Sequence, residues 1–300
     1  MSDTVASLRH KIGSAEDLES VVRTMKAMAA SNIGQYEHAV HALDDYYRTV
    51  QLGLAACFRQ DKMPAAVSRV AQKTAAAVGV IVFGSDQGLV GQFNENMVEY
   101  AVDTLEKLPG NKIVWAVGVR MQSRLAETSL QPVAGFTLPN SIKVITPLVG
   151  QILIEMEAQR EQGLIEQVYL FHHRPGTGSI YHPASQRLLP LDETWQHELA
   201  GISWPTKNLP EVMNNRERTL RALLREYLFV TLFRACAESL ASENASRLAA
   251  MQRADKNIDE LLDDLNSTFH RLRQSGIDEE LFDVISGYEA LNESEFHKSF

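Results

Sequence analysis

The placement of proline constrains the fold of this chain more than any other feature of its sequence. All ten prolines lie between Pro64 and Pro210, in a chain of 300 residues. A proline in a helix interior costs about 3 kcal/mol, because it removes a hydrogen bond and clashes with the preceding turn. Both ends of the chain are therefore free to form very long helices, whereas the middle is not.

Apolar residues recur along both proline-free ends with the period of a coiled coil. One stripe runs from Val5 to Cys57 and another from Ala241 to Leu272, each with a spacing of about 3.5 residues, which is typical of a left-handed supercoil. Each stripe is narrow and needs a partner. We therefore predict that a helix at 1–60 and a helix at 211–291 pair as an antiparallel coiled coil, with a tail at 292–300.

The middle of the chain has the alternating pattern of an α/β domain. The segment 76–83 is a continuous apolar run that ends in a glycine-rich turn, as expected for a buried strand. Further strands are predicted at 112–119, 167–172 and 186–191, and helices at 94–108, 121–128 and 145–162. Strands that alternate with helices favour a parallel or mixed sheet. We therefore expect a central Rossmann-like α/β domain at 74–195.

Composition argues against two kinds of partner. The net charge of −9 makes the chain a poor binder of nucleic acid, which requires a basic face. No run approaches the roughly 18 apolar residues of a membrane span, and the N-terminus lacks the apolar core of a signal peptide. We expect any membrane association to go through partner proteins. Cys57 and Cys236 are expected to be reduced thiols in packed helices, which fits a reducing compartment.

Three candidate sites for chemistry are weak. The loop 84–91 follows the first strand, where dinucleotide folds bind phosphate, but its glycines are spaced G-x-x-x-G-x-x-G rather than G-x-G-x-x-G. A structural turn is the favoured interpretation, with nucleotide binding as the alternative. The pair His172–His173 has no nearby ligand spaced to complete a metal site. The acidic group at 260–264 is interpreted as a solvated helix face, and we expect no cofactor or metal.

Three collinear blocks of sequence carry more information than any of these sites. The first is L-R-H-K-I-G-S at 8–14, continued by M-K-A-M-A-A-S at 25–31. These segments are similar to I-[KR]-x-[KR]-I-x-S and M-K-M-V-A-A-S. The second block is S-D-Q-G-L-V-G-Q-F-N at 85–94, similar to [ST]-D-[RK]-G-L-C-G-x-x-N.

The third block lies near the C-terminus. It is E-S-L-A-S-E-N-A-S-R-L-A-A-M at 238–251, similar to E-x-x-A-S-E-x-x-A-R-M-x-A-M. The segments R-Q-S-G-I-D-E-E-L at 273–281 and I-S-G at 285–287 follow it, close to R-Q-A-x-I-T-x-E-L and V-S-G. Over essentially residues 1–291, the chain resembles the gamma subunit of F-type (rotary) ATP synthases.

Several positions depart from that family's pattern. Gln87 stands where Lys or Arg is usual, Val90 where Cys is usual, Asn32 in place of Lys and Asp278 in place of Thr. These departures indicate a divergent lineage, for which an alternate, sodium-translocating rotary ATPase is one candidate. Gly276 followed by acidic residues also predicts a break in the C-terminal helix.

The resemblance implies a rotor subunit with no catalytic site of its own. Its coiled coil would turn inside a hexamer of alternating alpha and beta subunits and bias each beta subunit between two states. The α/β domain would bind the epsilon subunit and the ring of c subunits. Rotation would couple ion flow through the membrane sector to ATP synthesis or hydrolysis, at the cytoplasmic face of a bacterial plasma membrane.

The resemblance also implies roles for individual residues. Those implied to contact the hexamer are Met25, Lys26, Arg247, Arg273 and Gln274. Those implied to shape the loop of the foot domain are Asp86, Gly88 and Gly91. A purely structural role stays open for each, because long polar side chains often cover apolar surface. Two other classes also stay open: a coiled-coil scaffold or sensor unrelated to ATPases, and a dinucleotide-binding enzyme with a Rossmann-like domain.

Overall fold

A computed structural model describes residues 4–60, 77–176, 180–191, 193–208, 210–212 and 215–296. Its elements, in chain order, are helix α1 (Val5–Gln60), strand β1 (Ala77–Phe83), helix α2 (Phe93–Leu105), strand β2 (Lys112–Val117), helix α3 (Val119–Ala126), strand β3 (Pro132–Phe136), helix α4 (Ile142–Glu161), strand β4 (Ile165–Pro175), strand β5 (Tyr181–Leu189), helix α5 (Glu193–Ala200) and helix α6 (Arg216–Phe296). The predicted fold class is confirmed: two long terminal helices flank an α/β domain.

The sheet has the strand order β3-β2-β1-β4-β5. Strand β1 pairs in parallel with both β2 and β4, and β2 pairs in parallel with β3. Strand β5 is antiparallel to β4, so the sheet is mixed. The chain moves outward from β1 to β3 and then returns to the other side of β1, which is the reversal of a doubly wound fold.

Apolar cores cover both faces of the sheet. Side chains from α2 and α3, such as Met97 and Leu125, pack on one face. Helices α4 and α6 cover the other face, with Ile145 and Leu232 fully buried, and Tyr36 of α1 joins this core. Because both faces are covered, the central strand β1 is almost entirely apolar, as its run of buried residues requires.

The helix α1 buries residues at a seven-residue interval. At this interval the buried residues are Leu8, Ala15, Val22, Ala29, Tyr36, Val50 and Cys57, and Leu43 between them is half-buried. Helix α6 continues the same interval with Met251 and Ile258. A seven-residue interval equals 3.5 residues per turn, which is the repeat of a left-handed coiled coil.

The chain divides into two compact units, and an antiparallel helix pair runs in each. One unit consists of Met1–Ala27 and Met251–Phe300, and the other of Met28–Ala250. In the first, Lys26 contacts Asp255, and the Arg9 guanidinium lies 5.8 Å from the centre of the Phe269 ring.

In the second unit, Asn32 donates a hydrogen bond to Asn244. Further along the pair, Tyr46 donates a hydrogen bond to Glu226. Later residues of α1 thus meet earlier residues of α6 in both units.

The structure differs from the sequence predictions in several places. Helix α6 runs without interruption through Gly276, so the predicted break there is wrong. One glycine costs a helix only about 1 kcal/mol, and the flanking residues carry no proline. Strand β3 and helix α5 were not predicted, and the strand predicted at 186–191 is β5, which begins earlier at Tyr181.

The element ends also shift. Residues 292–296 of the predicted tail belong to α6, whereas 297–300 lie outside the described residues, as do 74–76 of the predicted α/β domain. Helix α4 begins at Ile142, three residues before its predicted start, and therefore has Pro147 in its second turn. Pro147 has no backbone N–H to donate to the carbonyl of Lys143, so the helix lacks one hydrogen bond at this turn.

Candidate functional site

The β1–α2 loop, residues 84–92, is held by a carboxylate at the carboxyl edge of the sheet. Asp86 accepts hydrogen bonds from the backbone N–H of Val119 (2.9 Å) and of Leu138 (3.0 Å). It thereby ties the end of β1 to the start of α3 and to the segment after β3. Two backbone donors at this edge are bonded to a carboxylate, so they are not available to the phosphate of a nucleotide.

A buried amide supports the same loop from the side of α2. Asn94 accepts a hydrogen bond from the Ser85 backbone N–H at 2.9 Å, and its own amide donates to Ser85 Oγ at 2.8 Å. Ser85 Oγ in turn donates to the Gln87 carbonyl. The loop is therefore held by hydrogen bonds to its own backbone and to Asn94 of α2.

The tip of the loop has an unusual backbone. Leu89 has a φ of 62° and Gly91 a φ of 60°. Gly91 adopts this conformation without strain. In Leu89 the Cβ makes the same backbone conformation unfavourable, and 62% of the residue's surface is exposed. A Cβ added at Gly88 would lie 3.5 Å from Arg120 Nη2, an ordinary contact distance, so neither space nor backbone requires glycine there.

The β1–α2 loop also contacts helix α6. Ser246 donates a hydrogen bond from Oγ to the Val90 carbonyl at 2.6 Å. One turn earlier, Glu243 is buried and pairs with Arg247 at 2.7 Å. Burial raises the pKa of Glu243 to about 7, because loss of water outweighs the attraction of Arg247, and nearby Asp86 raises it further. The second and third sequence blocks therefore meet in space.

The residues implied to contact a hexamer lie in different surroundings. Arg273 and Gln274 are exposed on α6. Met25 is half-buried, and Lys26 pairs with Asp255 at 2.5 Å. Arg247 belongs to the unit of the loop, and its side chain is only 13% exposed. Their contacts with a hexamer stay a prediction.

Sequence reasoning missed an ionic cluster on the second unit, in which His172 and Glu238 are buried and the other members are partly exposed. Glu238 of α6 accepts hydrogen bonds from His172 Nε2 at 2.9 Å and from Arg234 Nε at 2.7 Å. Arg174 approaches the same carboxylate at 3.4 Å, and Arg234 also pairs with Asp44 of α1 at 3.0 Å. The histidine pair was the only local signal for it.

The second histidine of the pair is not part of that cluster. His173 is fully buried, with its ring centre 4.2 Å from that of Phe93. Neither ring nitrogen has a hydrogen-bond partner within the described residues. Burial lowers the pKa of His173 to about 3, so the ring is neutral near pH 7.

The described part of the chain shows no grouping of three His, Cys, Asp or Glu side chains that would hold a metal ion. The acidic side chains Glu260, Asp263 and Asp264 are exposed, and Cys57 and Cys236 are buried free thiols. Among the described helices, none is both long and apolar enough to cross a membrane.

The fold and these sites define a class of protein: a long antiparallel helix pair joined to a doubly wound α/β domain, with the three sequence blocks on the helices and on the β1–α2 loop. A protein-family model described as ATP synthase matches residues 4–291. The chain therefore belongs to the ATP synthase family, and within it to the gamma chains, the rotor of the central stalk.

Individual relatives support this assignment across nearly the whole chain. The ATP synthase gamma chain of Nitrosomonas europaea is 26% identical over 95% of this chain and 98% of its own. That of Brevibacillus brevis is 24% identical over 97% and 99%.

Solved structures show the same fold. One is a chain of the mitochondrial ATP synthase of Euglena gracilis, described as OSCP/F1/c-ring in rotational state 3. It matches with a TM-score of 0.68 and 17% identity, over 97% of this chain and 95% of that one. A chain from the central stalk and c-ring of the Tetrahymena thermophila enzyme matches with a TM-score of 0.55 and 19% identity, over 78% and 99%.

Proposed function

We propose that the chain turns within a hexamer of alpha and beta subunits and couples ion flow to ATP synthesis or hydrolysis. The observation that carries this proposal is the position of the three blocks. They lie on the two long helices and on the β1–α2 loop, and the third block is largely buried where Ser246 of α6 meets Val90 of the loop. The chain itself performs no covalent chemistry, and its part is to bias the states of the beta subunits mechanically.

The exposed end of α6 is the part of this surface most open to a partner. Arg273 and Gln274 are exposed, and so are the apolar side chains of Ile277, Leu281 and Phe282, which leave 55%, 56% and 68% of their surface in solvent. An apolar surface beside polar anchors is typical of a protein–protein contact. We infer that Met25, Lys26 and Arg247 contribute to the same function on the helix pair.

The α/β domain carries the other half of the proposal. It is the part of the chain that would bind the epsilon subunit and the ring of c subunits, and Asp86, Gly88 and Gly91 would shape it. The titles of the matched solved structures include the c-ring for those proteins. We place the complex on the cytoplasmic face of a bacterial plasma membrane, with this chain attached through its partners.

A matched pair of arginines tests the hexamer contact. Arg271 and Arg273 are both exposed on α6, but their directions differ by about 200° because a helix turns about 100° per residue. We expect Arg273→Ala to lower ATP hydrolysis by the reconstituted complex several-fold and Arg271→Ala to leave it within about twofold. Equal effects of the two substitutions would refute the assignment of Arg273.

A further inference from the structure

The ionic cluster of Asp44, His172, Arg174, Arg234 and Glu238 joins three elements of the second unit. Asp44 lies on α1, Arg234 and Glu238 on α6, and the other two on β4. We call it the α1–α6–β4 cluster. It connects both long helices to the α/β domain through side-chain charges.

Glu238 is the centre of this cluster, because its two oxygens face in different directions. Oε1 accepts from Arg234 on its own helix at 2.7 Å. Oε2 accepts from His172 on the sheet at 2.9 Å and lies 3.4 Å from Arg174 Nε. One carboxylate therefore bonds to the helix pair with one atom and to the sheet with the other.

The protonation of the cluster follows from its burial. Burial alone would raise the pKa of Glu238, but hydrogen bonds from His172 and Arg234 outweigh it and lower the pKa to about 2. Burial lowers the pKa of His172, so the ring is neutral. Its Nε2 must then carry the proton that it donates to the carboxylate. Arg174 Nε lies 3.4 Å from both His172 Nε2 and Glu238 Oε2. Since a protonated Nε2 cannot accept a hydrogen bond, Arg174 donates to the carboxylate.

Stability does not explain a charged cluster at this place. Replacing a buried ion pair with packed apolar groups is often neutral or stabilising. Elsewhere on α6, Leu232, Cys236 and Leu240 already pack in the apolar core on this side of the sheet. The ion pairs therefore supply something that apolar packing does not.

Direction is what hydrogen bonds add. The hydrophobic effect has no preferred direction, although close packing of the side chains still resists sliding. Hydrogen bonds weaken steeply when their angles change. A pocket of about 290 Å³ that is open to solvent borders the cluster and is also lined by Tyr47 and Thr231. The charged contacts here therefore add to the apolar core that packs α6 and Tyr36 of α1 against the sheet.

We propose that the α1–α6–β4 cluster is a torque joint: its five side chains fix the helix pair to the sheet. When the α/β domain rotates, the helices attached to it then turn through the same angle. These are positioning residues, and the proposal rests on the rotor function proposed above. Glu238 makes the central contacts of this joint, and the ion pair of Asp44 with Arg234 connects α6 to α1.

A single-molecule measurement tests the joint in the assembled complex. The hexamer is fixed to a surface, and a bead is attached to the α/β domain through Lys107→Cys, an exposed position on the loop after α2. The readout is the angular variance of the bead during the pauses between rotation steps. We expect Glu238→Gln to raise this variance at least about twofold and to leave the unloaded stepping rate unchanged.

The same helix offers a matched control. Glu217 pairs with Arg221 at the same four-residue spacing as the Glu238–Arg234 pair, in the reverse order along the helix, and both side chains are largely exposed. Glu217→Gln should leave the variance unchanged. If Glu238→Gln destabilises the chain, Asp44→Asn provides a milder test at a side chain that is 47% exposed, with a smaller rise in variance expected.

The outcomes separate the joint from the rotor function. Unchanged variance in Glu238→Gln and Asp44→Asn, or an equal rise in Glu217→Gln, would overturn the joint. A loss of thermal stability without a rise in variance would mean that the cluster is structural only, and that result also overturns it. If the unsubstituted complex does not rotate at all, the rotor function fails.

Discussion

The buried carboxyl of Glu243 makes the stability of the second unit depend on pH. Glu243 is 5% exposed and has its pKa raised from 4.5 to about 7. The folded chain thus holds this proton more tightly than the unfolded chain. The resulting stabilisation is complete below pH 4.5 and is lost as the pH rises through 7. Above pH 7 the folded state contains a buried carboxylate that Arg247 only partly compensates.

The pKa change sets the size of the effect. A rise from 4.5 to about 7 corresponds to about 3 kcal/mol, since each pKa unit is worth about 1.4 kcal/mol. Glu243→Gln keeps the shape of the side chain and its ability to accept from Arg247, but it does not titrate. We therefore expect the variant to be more stable than the unsubstituted chain at pH 8 by up to about 3 kcal/mol.

Urea unfolding at several pH values, followed by tryptophan fluorescence, measures this difference. Trp115 is buried in the sheet core and reports on the unit that contains Glu243. The free energy of unfolding of Glu243→Gln minus that of the unsubstituted chain should grow from pH 5 to pH 8. Glu99→Gln, at an exposed position on α2, should show no such trend. A difference for Glu243→Gln that is flat across this range would refute the reasoning.

Three further predictions concern the same unit. Gly84→Ala should lower the free energy of unfolding by about 1–3 kcal/mol, because a Cβ there would lie 2.4 Å from Met121. Its control is Gly150→Ala in helix α4, where a Cβ would meet open space. That substitution should raise the free energy of unfolding by about 1 kcal/mol. Asp86→Ala leaves two backbone donors without their acceptor and should cost about 1–3 kcal/mol in urea unfolding. The lowered pKa of His173 gives stability that is present above pH 6.5 and is lost as the pH falls towards 3. The free energy of unfolding of His173→Phe, relative to that of the unsubstituted chain, should therefore rise by about 3 kcal/mol between pH 7 and pH 4. If the variant and the unsubstituted chain lost equal stability over this range, the prediction would be contradicted.

The helices and the central strands were predictable because their signals are local. A proline-free stretch with a seven-residue apolar interval has few alternatives to a paired helix. The apolar run of β1 likewise has the pattern of a buried strand. Strand β3 gave a weaker signal, since Pro132 and Gly135 lie within its five residues and both disfavour strands. The break predicted at Gly276 gave too much weight to one glycine among good helix formers.

The sites were less predictable because they depend on tertiary contacts. The contact between Ser246 and Val90 joins residues 156 positions apart, and that between His172 and Glu238 joins residues 66 positions apart. The sequence blocks identified Asp86 as important, but its bonds to Val119 and Leu138 follow from where α3 and α4 begin. Without a pattern that links β4 to α6, the histidine pair gave no sign of its carboxylate.

Reconstitution measures the rotor function most directly. The purified chain is added to a complex of the cognate type from which the gamma subunit has been removed, and ATP hydrolysis coupled to ion transport into vesicles is measured. We expect this chain to assemble with the alpha and beta subunits and to restore coupled hydrolysis. Failure to assemble, or assembly with hydrolysis that drives no ion transport, would contradict its function as the rotor.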